Sequence, residues 1–172
     1  TMLLAGIAIN ALASAGTGLW TFVADDRELR DLTFWTLGSL AGAEWRSLGV
    51  LAAFVGVGAV FALRTATSLD ALLLGESEAR HIGIDAERVR RRAVFCTAAM
   101  VGCAVALSGL IFFVGLVVPH MIRLVAGPGH RLLLPASALL GGTLLVAADV
   151  AARLVVSPAE LPIGIVTALV GA

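Results

Sequence analysis

The stretch MLLAGIAINALASAGTGLWTFV, from Met2 to Val23, contains no acidic or basic side chain. A helix of about 20 predominantly apolar residues crosses the hydrocarbon core of a bilayer, which is roughly 30 Å thick. Trp20 and Phe22 lie near its end, where aromatic rings favour the membrane–water interface. The stretch therefore predicts a membrane-spanning helix.

The composition of the whole chain agrees with a membrane protein. Of its 172 residues, 59% are hydrophobic and 14% are charged, whereas soluble domains are about 45–50% apolar and about 25% charged. The formal net charge is zero, so nothing suggests a nucleic-acid surface. Cys96 and Cys103 lie roughly 10 Å apart along a helix, too far for a disulfide, and have no zinc-site spacing.

Further apolar runs predict more spans, so the fold class is an all-α, polytopic transmembrane bundle. The predicted spans after the first are 48–63, 93–110, 111–126, 132–152 and a run from residue 161 onward. Residues 24–47 read as a polar loop. Because the chain opens and closes on apolar runs, we expect residues 1–172 to be a single transmembrane domain truncated at both ends.

The most polar region, between Arg64 and Arg92, reads as two short helices. They are predicted at Leu69–Leu74 and Glu76–Ile82, separated by Gly75 and ended by Gly83. Apolar side chains form one edge of this region beside its charges, namely Leu72, Leu73, Ala79 and Ile82. Such an edge is either a docking surface or part of a solvated connector.

The arginines orient the chain, since cytoplasmic loops carry an excess of cations. All 12 basic residues are arginine. Eight lie in or near one set of alternate loops, namely Arg64, Arg80, Arg88, Arg90, Arg91, Arg92, Arg123 and Arg131. The other four are Arg27, Arg30, Arg46 and Arg153. The region around Gly75 is therefore predicted to be cytoplasmic.

Ionisable groups inside spans are functional candidates because burying charge is costly. Asp149 lies four residues before Arg153, which favours an ion pair on one helical face. Pro119 frees the carbonyl four residues back, and His120 is a candidate partner for it, so we interpret the two as helix-shaping.

Two other functions remain open at this point. A gradient-driven secondary transporter would use Asp149 or His120 as its titrating group. An intramembrane enzyme would have to pair His120 with Ser108 or Ser137, and no spacing aligns them. The sequence contains no GxSxG, HExxH or GxxxxGK[ST] motif.

Four motifs occur in one order: LLLGESEARHIGI (72–84), GLIFFVGLVVPHMIRLVAG (109–127), LLLPASALLGGTLLVAADVAAR (132–153) and ELPIGIVTALVGA (160–172). Together they resemble the permease family of type II ABC importers for iron chelates, haem and vitamin B12, the FecCD family. The chain resembles spans five to ten of that ten-span permease. Phe112 departs from the family pattern, which usually has glycine there.

The resemblance implies a fold, partners and site residues. The permease would be a homodimer in the bacterial inner membrane, in contact with lipid, two cytoplasmic ATPase subunits and a periplasmic substrate-binding protein. It would hold no cofactor or metal and perform no catalysis, since ATP and Mg²⁺ belong to the ATPase. Residues 69–83 correspond to the coupling helices.

The implied roles fall on particular residues of this chain. ATPase coupling is carried over to Leu74, Gly75, Glu76, Ala79, Arg80 and Gly83. Arg153 would dock the binding protein, and Asn10, Ser14 and Thr17 of the first span would line the translocation path. Residues 17–45 look closer to haem and ferric-siderophore permeases than to the vitamin B12 permease, which favours an iron complex, with haem first.

Overall fold

The computed structural model describes residues 2–155 and 161–171, and these residues form eight helices and no strand. The helices are α1 (Met2–Val23), α2 (Asp26–Leu37), α3 (Trp45–Leu72), α4 (Glu76–His81), α5 (Ala86–Ser108), α6 (Val114–Ala126), α7 (His130–Val155) and α8 (Ile163–Gly171). Within the described part of the chain, α1, α3, α5 and α7 are long and apolar enough to cross a membrane. The all-α transmembrane fold class is therefore confirmed.

The chain divides into two compact units, one ending at Thr36 and the other beginning at Leu37. In the first unit, α1 has the predicted bounds. The second helix was not expected, because residues 24–47 were predicted to be a polar loop. The Asp25 carboxylate accepts from the Glu28 amide (2.8 Å), and the Glu28 carboxylate accepts from the Asp25 amide (3.2 Å). This capping box starts α2.

The second unit is built on close contacts between helices with small side chains. Its buried apolar positions include Ala66, Ala79, Ala86, Ala148 and Ala152, with Val118, Leu133 and Ile163. Helix α3 packs on α5 and α7, and α6 packs on α7. Small residues allow such approach, and in a membrane this packing substitutes for the hydrophobic effect.

Helix α3 is longer than predicted at both ends. Its 28 residues correspond to about 42 Å of helix. The separate short helix predicted at Leu69–Leu74 is wrong, because residues 69–72 form the last turn of α3. The sequence contains no glycine or proline between Arg64 and Leu72, so nothing interrupts the helix before Gly75.

The span predicted at Ile111–Ala126 is also different in the structure. Gly109 ends α5 with a positive φ of 71°, Phe113 has a φ of 67°, and α6 begins only at Val114. The 13 residues of α6 extend over about 20 Å, less than the hydrocarbon core. Residues 109–113 are thus a break between helices.

Three backbone segments meet at this break. The Ser39 amide donates to the Ser108 carbonyl (2.9 Å), and the Ile163 amide donates to the Gly38 carbonyl (3.1 Å). A Cβ atom on Gly164 would overlap the carbonyl oxygen of Leu37. The start of α8 is therefore held against residues 37–39 and 108–110 by backbone contacts.

Candidate functional site

The loop between α3 and α5, residues 73–85, is held in a defined shape by its two glycines. Gly75 has a φ of 111° and Gly83 a φ of 81°, values that only glycine adopts without strain. The Gly83 amide donates to the Arg80 carbonyl (3.0 Å) and the Ile84 amide to the Ala79 carbonyl (2.9 Å). These two bonds form a Schellman motif, which ends α4.

Three features fix this loop to the neighbouring helices. Ala79 is fully buried, which seats α4 against α3 and α5. Arg90 of α5 forms an ion pair with Glu76 at the start of α4. Asp85 caps α5 by accepting from the Arg88 amide (3.0 Å). This backbone hydrogen bond lowers the pKa of the Asp85 carboxyl.

The outer face of the loop is apolar at its two ends. Leu74 is 73% exposed and Ile82 is 64% exposed, and Arg80 between them is also exposed. We call Leu74, Arg80 and Ile82 the loop surface. Large exposed apolar side chains on a fixed element outside the apolar spans mark a contact surface.

One predicted coupling residue lies on the other face. Ala79 was expected on the apolar edge, but it lies on the inward side of α4 and is buried. The reason is the helical period, since residues three apart such as Ala79 and Ile82 share a face only in a continuing helix, and the helix ends at His81. Leu74, Gly75, Glu76, Arg80 and Gly83 are exposed as a partner contact requires.

The predicted ion pair at the end of α7 is confirmed. Arg153 Nε donates to Asp149 Oδ2 (2.9 Å), and the guanidinium also reaches Oδ1 (3.3 Å). The arginine side chain is 49% exposed and the carboxylate 26%. Asp149 therefore orients the Arg153 guanidinium while leaving part of it accessible.

The polar residues of α1 and the proline of α6 take ordinary helical positions. Asn10, Ser14 and Thr17 are exposed, and the Thr17 hydroxyl donates to the Ala13 carbonyl (3.0 Å). Pro119 lies inside α6, and His120 is exposed. No hydrogen bond within the described residues joins His120 to Gly115, Ser108 or Ser137, so its predicted helix-shaping role has no contact to support it.

A second polar contact was not predicted from the sequence. Asp70 Oδ1 accepts from the backbone amide of His130 (2.6 Å) and lies 2.8 Å from its Nδ1. The Arg131 guanidinium donates to the Thr67 hydroxyl (3.0 Å). These bonds tie the end of α3, immediately before the loop, to the start of α7. Partners 60 residues apart carry no local sequence signal.

Metal ligands and thiols offer no further site in the described ranges. No group of three or more histidine, cysteine, aspartate or glutamate side chains could hold a metal ion there. Cys96 and Cys103 are both free thiols, in agreement with their spacing.

The amino-acid sequence matches a known family along the whole length of the chain. The sequence profile of the FecCD transport family covers residues 1–172. The chain belongs to the FecCD transport family. The loop surface and the Asp149–Arg153 pair are thus features of a FecCD chain.

Curated relatives of this FecCD chain include the hemin transport system permease protein of Yersinia pestis. It is 45% identical over 170 residues, covering 99% of this chain and 51% of the relative. The vitamin B12 import system permease protein of Vibrio cholerae is 46% identical over 173 residues, with the same coverage of 99% and 51%. The chain thus spans about half the length of the curated relatives that it matches.

A solved structure supports the fold of the FecCD chain. It is an inward-facing conformation of a transporter described as of the metal-chelate ABC type, and it is 35% identical with a TM-score of 0.91. The match covers 98% of this chain and 55% of the other. Similar identities to hemin and vitamin B12 permeases mean that overall identity does not separate the two substrate classes.

Proposed function

We propose that this chain is part of the membrane-spanning permease of an ATP-driven importer for an iron complex, with haem the favoured cargo. The permease would form a homodimer in the bacterial inner membrane. Two ATPase subunits would bind on the cytoplasmic side and a periplasmic binding protein on the other. The permease itself would be no enzyme, with ATP and Mg²⁺ held by the ATPase.

The observation that carries this proposal is the loop surface. Leu74 and Ile82 present apolar area beyond the apolar part of α3, while the buried Ala79 and the Glu76–Arg90 pair fix α4 to its neighbours. A partner that moves this surface therefore moves α3 and α5 with it. Such a rigid connection suits a device that converts a cytoplasmic displacement into alternating access.

The cargo is proposed from the likeness to named permeases and from residues 17–45. A hemin permease is among the relatives, and the similar structure is described as of metal-chelate type. The gradient-driven alternative relied on Asp149 or His120. Asp149 is engaged by Arg153, which favours an orienting role over that of a titrating carrier group.

The test is assembly of the full-length permease with its ATPase. Leu74→Asp with Ile82→Asp removes the apolar ends of the loop surface, and we expect the co-purified ATPase to fall at least about tenfold, which corresponds to about 1.4 kcal/mol. Leu74→Met with Ile82→Met keeps the apolar surface at similar volume and should retain the partner. Deletion of residues 75–83 should abolish association.

Thermal unfolding in detergent separates a docking defect from a folding defect. The aspartate variant should unfold near the temperature of the methionine variant, since both side chains are exposed. An ATPase that co-purifies with the aspartate and the deletion variants as well as it does with the native permease would rule out the loop surface as the coupling element.

A further inference from the structure

An apolar groove runs between α3 and α5 on the outside of the second unit. Its volume is about 380 Å³, and its walls include Phe54 and Val57 of α3 and Phe95 and Ala99 of α5. Val57 is 74% exposed and Phe95 is 76% exposed. The floor is closed where Met100 packs on Gly58, at which a Cβ atom would overlap the methionine sulfur.

Each of the two helices that line the groove carries an arginine beyond the groove. Arg64 lies seven residues after Val57 on α3, and Arg92 lies seven residues before Ala99 on α5. Seven residues are close to two helical turns, so each arginine shares the face of its wall residue and lies about 10 Å along the helix from it. Because the Gly58–Met100 contact joins antiparallel helices, the two arginines lie at the same end of the groove.

That end lies where the apolar spans stop. The predicted spans end at Leu63 and begin again at Ala93, so Arg64 and Arg92 are the cations at the membrane boundary. Both are exposed, and neither has an ion-pair or hydrogen-bond partner within the described residues. By contrast, Arg88, Arg90 and Arg91 of the same region are paired with Asp85, Glu76 and Glu87.

We propose that the α3–α5 groove binds one anionic phospholipid of the cytoplasmic leaflet. The phosphate lies between Arg64 and Arg92, and an acyl chain lies along Phe54, Val57, Phe95 and Ala99. The distance of about 10 Å from the arginines to the groove fits within one leaflet, which is roughly 15 Å deep, half of the hydrocarbon core. The arginine excess places this end on the cytoplasmic side, where anionic lipids attract cations.

A lipid fits this groove better than a protein helix because it can neutralise the two arginines. An apolar helix in the groove would leave both guanidinium groups without an anion at the boundary of the membrane. A phosphodiester supplies the acceptor oxygens that arginine binds well, and its own acyl chain supplies the apolar part. The proposal stands on the membrane-spanning helices and does not depend on the importer function.

Native mass spectrometry of the delipidated full-length protein tests lipid selectivity. Titration with phosphatidylglycerol and with phosphatidylcholine of the same acyl chains should give at least about fivefold tighter binding of phosphatidylglycerol. Arg64→Gln with Arg92→Gln should abolish this preference. Arg30→Gln with Arg46→Gln, which removes the same charge on the predicted opposite side, should preserve it.

A second measurement locates the lipid. Phosphatidylglycerol with a photoreactive acyl chain should label peptides that contain residues 53–58 and 95–100, and Ala99→Trp, which fills the groove, should suppress this labelling. Equal binding of the two lipids, or a preference that survives the Arg64 and Arg92 substitutions, would overturn the proposal. Cross-linking of these peptides to another part of the polypeptide would do so as well, because it would show a protein occupant.

Discussion

Gly164 shows how one residue can determine a contact between distant segments. A Cβ atom there would overlap the Leu37 carbonyl oxygen and lie 3.2 Å from the Leu110 carbonyl oxygen. Both obstacles are backbone atoms, which cannot turn aside as a flexible side chain does. The absence of a side chain thus lets α8 begin against residues 37–39 and the break that follows α5.

Gly164→Ala should therefore destabilise the full-length protein. Overpacking against a fixed neighbour costs about 1–3 kcal/mol, so we expect a lower midpoint of thermal unfolding in detergent. Gly142→Ala is the matched control, since its Cβ atom would meet nothing within 4 Å and alanine favours a helix by about 0.5–1 kcal/mol. Equal midpoints for the two variants would contradict the close contact at Gly164.

Among the elements, α3 and α7 are joined by a polar contact that the helical periodicity of the sequence does not predict. Asp70 near the end of α3 accepts the backbone amide of His130, the first residue of α7. That amide is one of the donors that a helix leaves without an internal partner. A carboxylate at this position also suits the positive end of the α7 dipole. The contact links the helix that enters the loop with the helix that carries Arg153 in its last turn.

Asp70→Ala should loosen the start of α7. Loss of a capping acceptor typically costs about 1 kcal/mol, and the His130 amide should exchange its hydrogen roughly fivefold faster, as that energy implies at equilibrium. Asp70→Asn keeps an acceptor oxygen, so in this variant the His130 amide hydrogen should exchange nearly as slowly as in the native chain. Unchanged exchange in the alanine variant would show that the Asp70 contact does not hold α7.

At the scale of the whole molecule, α7 separates the loop surface from the Asp149–Arg153 pair. Its 26 residues cover about 39 Å, with His130 bound to α3 at one end and the Asp149–Arg153 pair near the other. The loop surface belongs to the His130 end, since Asp70 lies in the last turn of α3. Under the proposed function, the ATPase and the binding protein dock at opposite ends of this helix.

Arg153→Glu should affect only one of these two partners. Charge reversal should weaken docking of the binding protein by roughly tenfold or more, chiefly through slower association, because like charges repel at the interface. The co-purified ATPase should stay unchanged. Surface plasmon resonance with the full-length permease measures the affinity for the binding protein. Arg153→Lys, which keeps the charge, should give an affinity between those of the native permease and the glutamate variant. Native affinity in the glutamate variant would remove Arg153 from the interface.

The sequence by itself determined that the chain has long helices that suit a membrane. The bounds of α1 were predicted from residues 2–23, and the Asp149–Arg153 pair followed from its spacing. Both succeed for the same reason, since an α-helix satisfies its backbone within itself and brings residues four apart together. The helix from Asp26 was missed although its capping box was present in the sequence.

Only the tertiary structure decided how these helices are joined. The break at residues 109–113, the inward direction of Ala79 and the contact between Asp70 and His130 all depend on neighbours far away in the sequence. An apolar run predicts that a segment is buried in lipid or protein, but it does not distinguish the two. The side of α4 that faces outward is set by packing on α3 and α5, because a helix of six residues is too short to impose an orientation of its own.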